Sequence, residues 1–271
     1  NIIENDNFRF RVNIEFNFFF FFFKQKTAYE IMPSLVGSEM CIGVRPLVLD
    51  EAGRLYLYRY WALEQRVAAA IRARAENAPF VIDETALTSS LDKLFPVDTP
   101  ARDQRTAAMI AARRPLSIIS GGPGTGKTAT AIRILTLLQQ LEPKRPLRVA
   151  LTAPTGKAAA RLRDALTNAD SSHDQLPFAE LTETATLHRL LGFRANGRPA
   201  AGADQPLTHD VVLVDEASMI DLNLMATLLE ALPEHSRLIL LGDPDQLASV
   251  EAGAVLSDLL AVLVKPTKGR R

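Results

Sequence analysis

From Leu116 onward, short apolar runs alternate with stretches whose apolar residues recur at helical spacing. Leu116–Ser120, Arg148–Ala153, Val211–Asp215 and Arg237–Leu241 are the runs, each followed by a helical pattern or a turn. Continuous apolar runs of this length suit strands buried on both faces. The clearest helix spans 129–141, patterned in Ala, Ile and Leu. Regular alternation of the two periods predicts an α/β fold, a parallel sheet with helices on both faces. Residues 168–177 and 194–209 are polar or rich in Gly and Pro and read as loops.

Upstream the pattern differs. Over 44–60, two β-type runs flank Asp50-Glu51-Ala52-Gly53, a hairpin signal. Trp61 to Ala75 carries Leu63, Val67, Ala70 and Ile71 at helical spacing, and Asp83 to Phe95 carries Leu87, Leu91 and Leu94 on one face. Pro96-Val97-Asp98-Thr99-Pro100 is a linker. The expected organisation is therefore a small, partial, mostly helical domain over 44–98, then an α/β domain over 99–271.

Residues 1–43 follow neither period. Nine of the thirteen Phe lie in the first 23 positions, six of them as Phe18 to Phe23. Positions 21–43 resemble translated sequencing-adapter read-through, so 1–43 is expected to be non-native or disordered and outside the fold. The phenylalanine run falls far short of the roughly 20 apolar residues a membrane-spanning helix needs. Glu4, Asp6 and Glu15 stand where a secretory signal would carry positive charge. No membrane partner is expected.

Composition narrows the class. The 271 residues hold 31 Lys+Arg against 31 Asp+Glu, and 47% are hydrophobic. That balance excludes collagen-like, coiled-coil and wholly disordered chains. A nucleic-acid partner would need a local basic patch, since the net field is zero. Cys41 is the single cysteine, so no disulfide closes within the chain. This fits a reducing, cytoplasmic location.

The chemistry concentrates in the α/β part. Gly121-Gly122-Pro123-Gly124-Thr125-Gly126-Lys127-Thr128 fits G-x-x-x-x-G-K-[ST] in full, with a strand running in and a helix running out. In such a P-loop the glycines turn successive backbone N–H groups toward phosphate oxygens, and the helix N-terminus adds a field that favours anions. Gly122, Pro123, Gly124, Thr125 and Gly126 would line the cradle. Lys127 would reach the β/γ-phosphates, and the Thr128 hydroxyl would ligate Mg²⁺. Val211-Val212-Leu213-Val214 then delivers Asp215 and Glu216 at a strand's C-terminal end, where open α/β sheets bind ligands. Asp215 would hold Mg²⁺ through water, and Glu216 would polarise the attacking water as general base.

Kinases, transporters, GTPases and motors all use these two motifs. Three further segments follow strands or helices of the same domain. Gly242-Asp243-Pro244-Asp245-Gln246 places an amide, Gln246, where it can contact a γ-phosphate. Thr155, Lys157 and Arg161 open a helix whose N-terminus suits a phosphodiester. Thr186 to Leu191, with His188, offers a second contact to a strand.

Together these segments, with Ser249-Val250-Glu251-Ala252-Gly253 and Gly53-Arg54-Leu55-Tyr56-Leu57 followed by Trp61, resemble the superfamily 1 DNA helicases. Within them they resemble the RecD-type alpha subunits of bacterial exodeoxyribonuclease V, over about residues 44–260. The resemblance implies a RecA-like P-loop NTPase using ATP and Mg²⁺. It implies a 5′→3′ translocase on single-stranded DNA, working beside RecB- and RecC-like subunits in double-strand-break processing. It also implies that Gln104 reads the adenine and that 44–98 docks a partner. Motors of this family have two such α/β domains, and the resemblance implies that the second lies outside this chain. Nucleotide binding with little unwinding is therefore expected of it. Two other readings stand beside this one: a conjugative relaxase-type or stand-alone helicase, and a non-catalytic nucleotide-binding or interaction module.

Overall fold

The computed structural model describes residues 2–5, 8–11, 47–49, 54–76, 80–96, 102–122, 124–172, 179–243 and 255–264. Two short antiparallel hairpins come first: β1 (Ile2–Asn5) with β2 (Phe8–Arg11), and β3 (Leu47–Leu49) with β4 (Leu55–Leu57). Helices α1 (Tyr58–Glu76), α2 (Glu84–Leu94) and α3 (Arg102–Arg113) follow. Then come β5 (Leu116–Ser120), α4 (Lys127–Leu141), β6 (Val149–Ala153), α5 (Gly156–Ser172), β7 (Thr182–Thr186) and α6 (Leu187–Leu190). The last elements are β8 (Val211–Val214), α7 (Leu222–Ala231), β9 (Arg237–Gly242) and α8 (Val255–Val264).

Strands β5 to β9 form one sheet in the order β5-β9-β8-β6-β7, with every neighbouring pair parallel. This is the α/β architecture the alternating pattern predicts. Side chains alternate between two cores, because successive residues of a strand face opposite sides. Val211 and Leu213 enter one core, and Val212 and Val214 the other. The first core is closed by Leu87 and Leu91 of α2, the alanines of α3, the apolar face of α4, and Leu162 and Leu166 of α5. The second is closed by Val67 and Ile71 of α1, with α7 and Leu256, Leu259 and Leu260 of α8.

Helices α1 and α2 sit where their spacing predicts, and Asp83 caps α2 by accepting from the N–H groups of Thr85 and Ala86. Both pack on the sheet's helical layers. Arg74, buried on α1, donates to the carbonyls of Leu232 (2.8 Å), Pro233 (2.9 Å) and Ser236 (3.1 Å). It thereby satisfies carbonyls just past the end of α7, groups that a helix terminus leaves without partners. Arg66 adds an ion pair to Glu230 of α7.

Several elements depart from the sequence reading. Residues 2–5 and 8–11 are strands although 1–43 shows no sustained period. Only Phe8-Arg9-Phe10-Arg11 alternates, too briefly to register. Residues 168–172, read as loop, continue α5, because Ala169 still packs against the first core. Strand β7 has no apolar run to predict it. Its sequence, Thr-Glu-Thr-Ala-Thr, is polar because it lies at the edge of the sheet with only Ala185 buried. No helix among the described residues is long and apolar enough to cross a membrane.

Candidate functional site

The parallel register brings the strands' C-terminal ends to one edge: Ser120 pairs with Gly242, and Ala153 with Thr186. The glycine-rich cradle joins β5 to α4 at this edge. Gly124 and Gly126 have φ of 75° and 77°, left-handed backbone that glycine adopts at no steric cost. Thr125 Oγ1 donates to the Gly122 carbonyl at 2.9 Å and ties the loop across itself. The Lys127 ammonium folds back on the cradle and donates to the carbonyls of Gly121 (2.5 Å) and Gly122 (2.8 Å).

Two strands away, β8 ends where the Asp215 N–H donates to the Thr152 carbonyl of β6 at 2.8 Å. This fixes the direction in which Asp215 leaves the sheet. Its Oδ2 accepts from Thr128 Oγ1 at 3.2 Å, and its Oδ1 accepts from the Glu216 N–H at 2.8 Å. Cradle and acidic turn are thus joined side chain to side chain. Glu216 has φ of 51°, the positive-φ exception to glycine among the described residues. A left-handed backbone there is strained for glutamate and turns the chain sharply out of the strand.

Strand β9 lies between β5 and β8 and touches both sides of the site. The Gly121 N–H donates to the Gly242 carbonyl at 3.3 Å. Any side chain at 242 would collide with Leu256 and come within 3.4 Å of the Ser218 nitrogen. Ser218 is buried, and its hydroxyl has no hydrogen-bond partner among the described residues. Neither Gly242 nor Ser218 figures among the sequence-derived site residues. The one signal in the sequence is a glycine closing an apolar strand just before Asp243.

On the other half of the edge, Thr155 Oγ1 accepts from the Ala158 N–H at 3.2 Å and caps α5. Lys157 and Arg161 stand exposed one turn apart, while Ala158 and Leu162 face inward. On the neighbouring strand, Thr186 Oγ1 accepts from the Arg189 N–H at 3.3 Å and caps α6. His188 is exposed, with its ring centroid 5.0 Å from that of Phe193.

The structure therefore gathers Gly122, Gly124, Thr125, Gly126, Lys127, Thr128, Asp215 and Glu216 into one site. Thr155, Lys157, Arg161 and His188 lie beside it along the same sheet edge. Gln104 lies half-buried in the first turn of α3. Pro123 and Gln246 lie outside the described residues. The arrangement offers backbone donors and an ammonium to a chain of phosphates, and a hydroxyl with a carboxylate to a hard cation. Among the described residues no group of three or more His, Cys, Asp or Glu could hold a metal by itself. A pair of hard oxygens suits Mg²⁺, which keeps several waters and takes the rest of its shell from substrate phosphates.

A parallel sheet with this cradle and this acidic turn at one edge defines a P-loop NTPase of the α/β class. The profile of the AAA domain family matches residues 104–252, more than half of the chain, and the chain belongs to that family. Membership implies use of a nucleotide. The chain is 43% identical over 226 residues to RecBCD enzyme subunit RecD of Mycolicibacterium smegmatis, an alignment covering 81% of this chain and 40% of that protein. It is 44% identical over 227 residues to RecBCD enzyme subunit RecD of Haemophilus influenzae, covering 79% of this chain and 35% of the relative. An ATP-dependent RecD2 DNA helicase of Deinococcus radiodurans is 34% identical over 219 residues, covering 78% of this chain and 27% of the relative. The chain thus spans two fifths or less of the length of these relatives.

Proposed function

We propose that this chain is a motor domain of an ATP-dependent DNA helicase, a RecD-type subunit of a RecBCD-like exodeoxyribonuclease acting in double-strand-break repair. The observation that carries the reading is the Thr128–Asp215 hydrogen bond, which closes a complete glycine cradle onto an acidic strand end. The names of the similar proteins supply the RecBCD assembly and the ATP-dependent DNA helicase activity. The family resemblance supplies double-strand-break processing and the 5′→3′ direction.

ATP would lie along the cradle, its β/γ-phosphates taking the Lys127 ammonium from the carbonyls of Gly121 and Gly122. Thr128 and Asp215 would hold Mg²⁺, which neutralises charge on the phosphates when bound. Glu216 would take a proton from the attacking water. Gln246 would contact the γ-phosphate, and Gln104 would read the adenine. Thr155, Lys157, Arg161 and His188 would hold single-stranded DNA.

The test is ATP hydrolysis with and without single-stranded DNA. Stimulation by DNA is expected, together with loss of turnover in Glu216→Gln at unchanged nucleotide affinity. Nucleotide binding without any hydrolysis, with or without DNA, would leave the chain a binding module.

A further inference from the structure

Most arginines whose side chains have partners are held by protein acceptors. Arg66 pairs with Glu230, Arg105 with Asp92, Arg113 with Glu84, and Arg145 and Arg148 with Asp210. Arg74 and Arg237 reach backbone carbonyls. Arg189, Arg194 and Arg198 fall close together in the sequence. All three are exposed, and none has an ion pair among the described residues. They lie in 187–203, a stretch with no Asp or Glu in a chain whose net charge is zero.

This stretch is built, and it stands at the functional edge. It leaves the C-terminal end of β7, whose Thr186 pairs with Ala153, two residues before Thr155. The N–H groups of Ala200 and Ala201 donate to the Leu191 carbonyl at 3.0 and 3.1 Å. Gly192 is left-handed, with φ of 65°, and a side chain there would press on Ala200 at 2.9 Å. Phe193 packs against the second core. Between these anchors the Arg194 N–H donates to the Arg198 carbonyl at 2.9 Å, the Gly197 N–H donates to the Arg194 carbonyl at 2.9 Å, and Asn196 Oδ1 accepts from the Arg198 N–H at 3.1 Å. A tight turn therefore holds Arg194 and Arg198 side by side. Two guanidiniums without ion pairs among the described residues, carried on an anchored turn, suit phosphate oxygens, because each presents a planar fork of donors.

We infer that the 187–200 loop is a second phosphate-binding surface for single-stranded nucleic acid, with Arg189, Arg194 and Arg198 extending the path opened by Thr155, Lys157 and Arg161. The inference rests on the DNA-side reading proposed above. Its source is charge held ready at the sheet edge, on an anchored turn with no carboxylate of its own.

The experiment is fluorescence anisotropy of a labelled oligothymidylate with the full chain over a range of salt concentrations. The chain is compared with Arg194→Ala/Arg198→Ala, with Lys157→Ala/Arg161→Ala, and with a charge-matched control, Arg114→Ala/Lys144→Ala, at the opposite edge of the sheet. Melting curves check folding. The slope of log K against log salt should shrink by about 1.4 in the Arg194/Arg198 variant, about 0.7 for each lost single-strand phosphate contact. Affinity at low salt should fall several-fold with nucleotide affinity unchanged. An unchanged slope in that variant, with binding lost in the Lys157/Arg161 variant, overturns the loop assignment alone and points to an acidic protein surface as its occupant. An equal loss in the control overturns it as a mere net-charge effect. No binding by the unaltered chain overturns the loop assignment and the DNA reading together.

Discussion

In the proposed reading Glu216 serves two ends from one position: it turns the chain out of the strand in left-handed backbone, and it would supply the general base. The two demands separate under substitution. Glu216→Gln keeps the strain and removes the proposed base, so hydrolysis should vanish while the denaturation midpoint holds. Glu216→Gly removes both. It should also abolish turnover, but it should raise stability by about 1 kcal/mol, the usual cost of left-handed backbone in a residue with a Cβ. Equilibrium urea unfolding of the three proteins checks this, and equal midpoints for all three would contradict the strain. Glu64 carries a second residue-scale expectation. It is buried on α1, and burial, reinforced by the nearby Asp258 carboxylate, pushes its pKa from 4.5 up to about 7. The native chain therefore holds a proton there that the unfolded chain has released between those values. That stability is fully present below pH 4.5 and lost as pH rises through about 7. Melting temperature should fall from pH 5 to pH 8, and Glu64→Gln should flatten part of that fall.

At the scale of elements, legibility follows how local the determining physics is. The cradle is contiguous, eight residues with a strand before and a helix after, so its geometry could be read directly. Strands β5, β6, β8 and β9 announce themselves because burial on both faces demands continuous apolar runs. Strand β7 is silent, since an edge strand can be threonine-rich. The role of α1 is equally hidden: its apolar stripe predicts a helix, but nothing local says that the stripe meets α7 more than 150 residues later in the sequence. The lower edge of the sheet depends on such a distant contact too. Burial alone would raise the Asp210 pKa, but hydrogen bonds from the Arg145 side chain and the Arg148 N–H outweigh it and bring it down to about 2. Its carboxylate thereby pins the start of β8 beside β6. Asp210→Asn should destabilise the domain by about 1–2 kcal/mol, because it removes the charge from a buried carboxylate that accepts from two half-exposed arginines. Urea unfolding at neutral pH measures the loss, and a change below ~0.5 kcal/mol would show the pair to be a surface contact.

For the molecule as a whole, the two cores decide what can be separated. The linker at 96–100 predicts a boundary near 98, while residues 54–95 supply side chains to both sides of the sheet. A chain beginning at residue 99 should expose the sites of Val67, Ile71, Leu87 and Leu91 and should aggregate. One beginning at residue 54 should stay monomeric in size-exclusion chromatography. If the shorter chain proves equally monomeric and cooperative on melting, α1 and α2 are accessories to a self-sufficient sheet.

The contacts of Lys127 bear on what the protein releases as well as what it takes up. Its ammonium already has acceptors in two glycine carbonyls, and Thr128 already has one in Asp215. Ligand entry is therefore an exchange of partners, with internal hydrogen bonds broken for each one made. A lone orthophosphate must compensate the whole exchange through a single group, whereas a triphosphate spreads it over a chain of oxygens along the cradle. If the proposed hydrolysis cuts the terminal phosphate free, the lysine has somewhere to return. The same carbonyls that would rival the substrate would then rival the product and favour clearing of the site.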